Sequence, residues 1–186
     1  MIGLSGTDAS GKDTVGEMLV ERHGWQWVSV SDILRAELTK RGEHLSRKSL
    51  RHLSAEWRRQ QGLGVLVDKA VDKFDDKKYK GLVIGSLRNY GEADEVHRLG
   101  GQVVWVDADP HVRYSRLTSR NRGTEDQVSF EEFLVEEQEQ MYHYEGDQHT
   151  LNLFGVKERA DITLINDGDD ANAFKNAAEK ALKPFL

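Results

Sequence analysis

The chain contains no cysteine. That excludes a disulfide framework and a thiolate metal site. It also suits a reducing compartment, so a cytoplasmic location is expected. Long apolar runs are missing too. No segment approaches the ~20 apolar residues a membrane helix needs, and no basic stretch followed by an apolar run marks a signal peptide. Neither an internal repeat nor a low-complexity tract occurs. Positive charge is in deficit: 26 lysines and arginines face 32 aspartates and glutamates, a formal net charge of −6. Broad nucleic-acid surfaces are usually basic, so this balance disfavours one. The basic residues are nonetheless clustered, at 47–59 (Arg47, Lys48, Arg51, Arg58, Arg59) and at 113–122 (Arg113, Arg116, Arg120, Arg122). Such islands in an acidic chain point to a small ligand with concentrated negative charge. Solvated helix faces are the plainer alternative.

What is present begins at the first residues. Ile2–Ser5 reads as a short apolar strand, and Gly6-x-x-x-x-Gly11-Lys12-Asp13-Thr14 follows it. Glycines let such a loop turn tightly and aim its N–H groups inward, where they and the following helix N-terminus bind phosphate oxygens. Lys12 reaches the outer phosphates as a mobile charge. The loop predicts a bound nucleoside triphosphate, held by Gly6, Ala9, Ser10, Gly11, Lys12, Asp13 and Thr14. The usual hydroxyl residue after the lysine is replaced by Asp13, with Thr14 next. Magnesium prefers oxygen ligands and keeps several waters, so Asp13 or Thr14 is its expected protein group. Asp8, inside the loop, can orient a phosphate acceptor, a water or Lys12.

At 186 residues the chain suffices for one domain that buries roughly 70% of its unfolded surface. Its periodicity alternates strands and helices, which predicts an open parallel sheet. The strands are expected at Ile2–Ser5, Trp25–Val30, Gly81–Gly85, Gln102–Val106 and Ile162–Ile165. Helices are expected at Lys12–His23, Ile33–Lys40 with Ser31-Asp32 as its cap, Arg47–Gln61, Leu63–Phe74, Tyr90–Leu99, His111–Arg120, Phe130–Tyr144 and Ala171–Leu182. Ser129 with Glu132 makes a capping box for the helix near 130. Residues 145–159 carry little pattern. Ligands of such sheets lie past the carboxyl ends of the strands, where the polar residues of this sequence gather.

Three further segments carry the reading to a family. Ser29-Val-Ser-Asp32-Ile-Leu-Arg35, Ile84-Gly-Ser-Leu-Arg88-Asn-Tyr90-Gly-Glu92 and Val106-Asp-Ala-Asp-Pro-His-Val-Arg113-Tyr-Ser-Arg116-Leu-Thr-Ser-Arg120, together with the loop, resemble the adenylate-kinase-like kinases of nucleoside and nucleotide monophosphates. The Ser10-Gly-Lys-Asp-Thr14 variant resembles viral deoxynucleoside monophosphate kinases. Arg88-Asn-Tyr-Gly-Glu92 resembles relatives of dephospho-coenzyme A kinase. The resemblance implies a three-layer α/β/α P-loop kinase fold with a five-stranded parallel sheet in the order 2-3-1-4-5. Residues 1–186 then form one domain, with a helical acceptor-binding insertion at 33–76 and a helical lid at 113–145.

The resemblance also implies ATP as donor with magnesium, and it distributes roles. Arg35 and Arg88 bind the acceptor phosphate, with Asp32 beside them among the substrate-binding residues, Arg116 and Arg120 clamp the donor, and Asn166 in Asn166-Asp-Gly168 touches the donor base. Trp57 and Tyr90 are candidate platforms for an acceptor base, although Trp57 is equally a core residue. The family's aspartate before its glycine is Ile84 here. Asp107 or Asp109 can compensate in the metal-water shell, or Asp107 can cap the next helix.

These residues suit phosphoryl transfer, in which alignment and charge neutralisation carry most of the catalysis. Lys12, Arg88, Arg116, Arg120 and Asp8 are the expected catalytic set, and the partner is a small nucleotide acceptor. A GTPase switch needs Asp-x-x-Gly after a central strand and an Asn-Lys-x-Asp base reader; Ile84-Gly-Ser-Leu and Asn166-Asp-Gly-Asp match neither. Dephospho-coenzyme A, with Asp8 as base, and a non-catalytic nucleotide sensor remain as alternatives. The sequence leaves monomer and homodimer both open.

Overall fold

A computed structural model describes residues 1–119 and 128–186. A parallel five-stranded sheet is its centre, made of β1 (Ile2–Gly6), β2 (Gln26–Ser29), β3 (Leu82–Gly85), β4 (Gln102–Asp107) and β5 (Ile162–Ile165). The spatial order is β2-β3-β1-β4-β5. β1 runs between β3 and β4 in parallel register, Leu4 opposite both Gly85 and Val104. The expected order and layers are therefore correct. Every residue of β1 and β3 is buried, as strands covered on both faces must be.

Helices cover both faces. α1 (Lys12–His23) and α9 (Ala171–Leu182) lie on one side, over Ile2, Leu4, Val83, Val104 and Val106. α2 (Val30–Arg41), α3 (Arg47–Gln61), α4 (Val65–Val71), α5 (Tyr90–Arg98) and α8 (Leu153–Glu158) build the other layer over Leu82, Ile84 and Val103. The alternation of partners along β1, β3 and β4 is the period-2 rule of strands at work. α6 (Pro110–Ser119) and α7 (Phe130–Met141) form a pair above the phosphate loop, joined through Leu117 and Phe133. The flanking helices are thus disposed as a flap (α2–α4) and a lid (α6, α7).

Beyond shifts of a residue at strand and helix ends, the elements differ from expectation at four places, each for a local reason. α2 starts at Val30, not Ile33, and its cap is Ser29, whose Oγ accepts from the Asp32 N–H at 3.3 Å. β2 therefore runs into α2 without a loop, and Asp32 sits in the first turn. α4 is shorter than 63–74 because Gly62 and Gly64 hold its start and a turn follows Val71. α7 ends at Met141, since Tyr142 is extended. α8 was not expected at all; it has six residues and only Leu153 and Val156 as large buried side chains, too few to set a period. The Ser129–Glu132 capping box is present. Arg120, Arg122 and the expected loop at 121–127 lie outside the described residues. Among the described residues no helix is long and apolar enough to cross a membrane.

Candidate active site

The loop after β1 is shaped by two glycines and one alanine. Gly6 has φ +148°, and a Cβ there would lie 2.1 Å from the Val106 carbonyl oxygen. Gly11 has φ +97°, and its Cβ would lie 2.3 Å from the Asn166 amide nitrogen. That nitrogen donates to the Ser10 carbonyl at 2.8 Å, so Asn166 braces the loop from the end of β5. Ala9 also takes a left-handed conformation, φ 61°, where glycine is the usual occupant. Its methyl is buried against Leu117 and Phe133 of the lid pair.

Asp107 is the second brace. It accepts from the Thr7 hydroxyl at 3.0 Å, the Ala108 N–H at 3.0 Å, the Trp105 indole at 3.2 Å and the Lys157 ammonium at 3.3 Å. Burial pushes its carboxyl pKa up, but these partners outweigh burial and hold it below the usual range. Both oxygens are engaged by the loop and its surroundings, and neither caps α6. Asp109 does the capping, accepting from the His111 N–H at 2.8 Å.

Two buried polar atoms of the loop and of α6 lack protein partners, the Ser10 hydroxyl and Nη1 of Arg116. Nη2 of Arg116 donates to the Gly168 carbonyl at 2.5 Å. Arg116, Asn166 and the β5–α9 turn are thus brought together beside the loop. Buried donors without acceptors are costly, and phosphate oxygens would satisfy them. Asp13 and Thr14 follow Lys12 in the first turn of α1. Among the described residues no cluster of three or more His, Cys, Asp or Glu side chains could cage a metal.

On the flap side the loop opens into a cavity of about 800 Å³. Lys12, Arg35, Arg47, Arg51, Arg58 and Arg88 all line it, with Asp8 and Asp13 beside them. Trp27, Leu34, Leu45 and Leu50 supply apolar wall. Arg88 donates to Asp8 at 2.9 Å and to the Gln140 side-chain oxygen, and the Gln140 amide reaches Asp8 at 3.4 Å. Burial would raise the Asp8 pKa; the charges of Arg88 and Lys12, with hydrogen bonds from Arg88 and Gln140, overturn it and hold the carboxyl well below the usual carboxylate range. Arg35 pairs with Asp32 at 2.9 Å and remains half exposed. Arg47 and Arg51 reach across to Glu136 and Glu139 of α7, at 2.6 and 3.7 Å.

Several expected residues sit elsewhere. Trp57 is in the core with Leu53 and Leu66, and the Lys69 ammonium lies 4.4 Å from its ring centroid. Buried there, it is no platform for a base. Tyr90 opens α5 outside the cavity, with His143 against its ring edge and the Arg159 guanidinium 4.8 Å above it. Arg113 is buried and holds α6 to α7 through Glu137. Sequence reasoning overlooked Gln140, Trp27 and Ser86 on the cavity wall. Gln140 lies in an otherwise acidic helix, and no motif marks it. Ser86, at φ 69°, carries strain that only the backbone reveals. Trp27 had a legible signal, an aromatic two residues before the strand's end.

The molecule has a P-loop kinase-like α/β/α fold. Its sequence matches the AAA domain family over residues 2–140, and the chain belongs to that family. It is 29% identical to a UPF0200 protein of Pyrococcus abyssi over 98% of this chain and 95% of that one. It is 26% identical to a UPF0200 protein of Pyrobaculum aerophilum over 98% and 96%. In structure it is similar to a shikimate kinase from Bacteroides thetaiotaomicron, with a TM-score of 0.61 and 15% identity over 99% of this chain and 97% of that one. It is also similar to TT1252 from Thermus thermophilus, with a TM-score of 0.60 and 22% identity over 100% and 96%.

Proposed function

We propose that the protein transfers the γ-phosphoryl group of ATP to a nucleoside or deoxynucleoside monophosphate. The observation that carries this reading is the single cavity that Lys12, Arg35 and Arg88 share at the carboxyl end of the sheet. Two anionic substrates repel each other, and cations placed between them remove that barrier. Lys12 and the loop N–H groups hold the donor's outer phosphates. Arg35 and Arg88 hold the acceptor phosphate, Arg88 steadied by Asp8. Arg116 and the Asn166 turn lie on the donor side. Trp27 and the leucines of the flap offer an apolar bed for a base. Asp13 or Thr14 would hold magnesium, which would supply further charge neutralisation.

The arginines on the cavity wall favour a phosphate over a hydroxyl as acceptor. A sugar hydroxyl, as in dephospho-coenzyme A, needs a base to take its proton. Asp8 is the carboxylate placed for that duty, yet the Arg88 guanidinium and the Gln140 amide already occupy its oxygens. An acceptor phosphate is already ionised and needs no base. The test is a panel of acceptors with ATP and magnesium, covering ribo- and deoxynucleoside monophosphates and dephospho-coenzyme A. The reading expects ADP release that depends on a monophosphate. Turnover with dephospho-coenzyme A alone, or donor binding with no acceptor-dependent turnover, would contradict it.

A further inference from the structure

The loop that delivers Arg88 is held by a carboxylate that takes no part in the chemistry above. Glu92 is fully buried, as is its partner Arg58. One Glu92 oxygen accepts from Nε and Nη2 of Arg58, at 3.1 and 2.6 Å. The other accepts from the backbone N–H of Arg88 at 2.7 Å and of Asn89 at 3.2 Å. Arg58 comes from α3 of the flap, and its Nη1 donates to the Ser54 hydroxyl and the His149 carbonyl. Asn89, also buried, donates to the carbonyls of Gln148 and Thr150 at 2.9 and 2.8 Å. Flap and acceptor-arginine loop therefore meet on one carboxylate, and its partners Arg58 and Asn89 tie in the segment before α8.

Helix capping alone does not explain this. Glu92 completes a capping box with Asn89, but a neutral glutamine serves that box equally well. Burying two charges carries a desolvation cost that a hydrophobic pair would avoid. The turn it secures begins with Ser86 at φ 69°, and such conformations persist only where the surroundings over-determine them.

We propose that Glu92 is the positioning residue of Arg88: through Arg58 it locks the acceptor arginine to the flap, so that both present to the acceptor as one body. The proposal rests on the reading of Arg88 as an acceptor-phosphate arginine. Glu92→Gln tests it, because an amide has one accepting oxygen for the two jobs. Leaving Arg58 buried and unpaired can unfold that variant, so the double variant Arg58→Met/Glu92→Ala, which leaves no buried charge, is measured beside it. Two readouts are taken: amide hydrogen exchange at Arg88 and Asn89, and steady-state kinetics with the monophosphate that serves wild type best. Leu182→Ala, a core change in distant α9, controls for lost stability.

The expected result is exchange at both amides faster by about tenfold or more, with Val104 in β4 unchanged. The acceptor KM should rise by about tenfold or more, with donor affinity held and Leu182→Ala leaving the KM alone. Wild-type protection at Arg88 and Asn89 in the variants would overturn the positioning role. Lost protection with an unchanged acceptor KM would instead overturn the assignment of Arg88 to the acceptor. If no monophosphate supports wild-type turnover, the proposed function fails, and the exchange arm still decides whether Glu92 holds the loop.

Discussion

Ala9 shows how close the balance at one residue can be. A left-handed backbone costs an L-residue roughly 1–2 kcal/mol. Glycine there would avoid that, but it loses about 0.5–1 kcal/mol in chain entropy, and the buried methyl against Leu117 and Phe133 is worth about 0.8 kcal/mol. The contributions offset. Ala9→Gly is expected to change unfolding free energy by less than about 1 kcal/mol in urea titration, whereas Ala9→Val, β-branched at φ 61°, should cost more than about 2 kcal/mol. Asp8 gives a prediction with a sign. Its pKa is lowered by folding, so its stabilising contribution is complete above the unfolded value near pH 4 and is lost as pH falls through the lower folded value. Asp8→Asn should flatten the acid side of the stability profile measured between about pH 5 and 2. The pH–rate profile of wild type should show no limb from Asp8 above about pH 5; a limb near neutrality abolished by Asp8→Asn would revive it as a general base. At this scale the sequence was partly legible. Gly6, Gly11 and Lys12 have spacing that admits one geometry, and Arg35 and Arg88 stand in recognisable segments. For Trp57 the core alternative is the one found, and Tyr90 lies off the cavity wall, because aromatic character does not tell core from cavity.

Among the elements, the helices that span the cavity carry most of the information. α3 lends Arg47 and Arg51 to the wall, and α7 answers with Glu136 and Glu139. Residues three or four apart share a helix face, so each pair of charges was readable within its own helix. That the two faces meet was not, since they lie about ninety residues apart and neither pattern names its partner. The same holds for Gln140 on Arg88 and Asp8. α8 was invisible for a different reason: six residues make fewer than two turns. Half-exposed ion pairs are worth little to folding, so Arg47→Ala/Arg51→Ala should lower stability by less than about 1 kcal/mol per pair. If α7 shields the loop from water, the same variant should show more ATP hydrolysis in the absence of acceptor. Hydrolysis at the wild-type rate would mean that these pairs do not hold the lid.

For the whole molecule, five apolar strands separated by helical stretches leave few sheet topologies, and the order found is the one the family resemblance implies. The fold then places all five strand ends on one side, and that placement assembles a site from residues as distant as Asp8 and Gln140. Magnesium enters at this scale. Because the described residues form no three-ligand cage, chelation should abolish transfer while leaving the melting temperature of nucleotide-free protein unchanged; a melting temperature that falls on chelation would reveal a structural metal.

The account turns on Arg35 and Arg88 gripping the acceptor and not the donor. Arg35→Ala and Arg88→Ala, each assayed for acceptor KM and for ATP dissociation constant, test it most directly. A rise of about tenfold or more in acceptor KM, with ATP affinity held, is the predicted result. Equal losses in both, or an acceptor KM that does not move, would contradict it.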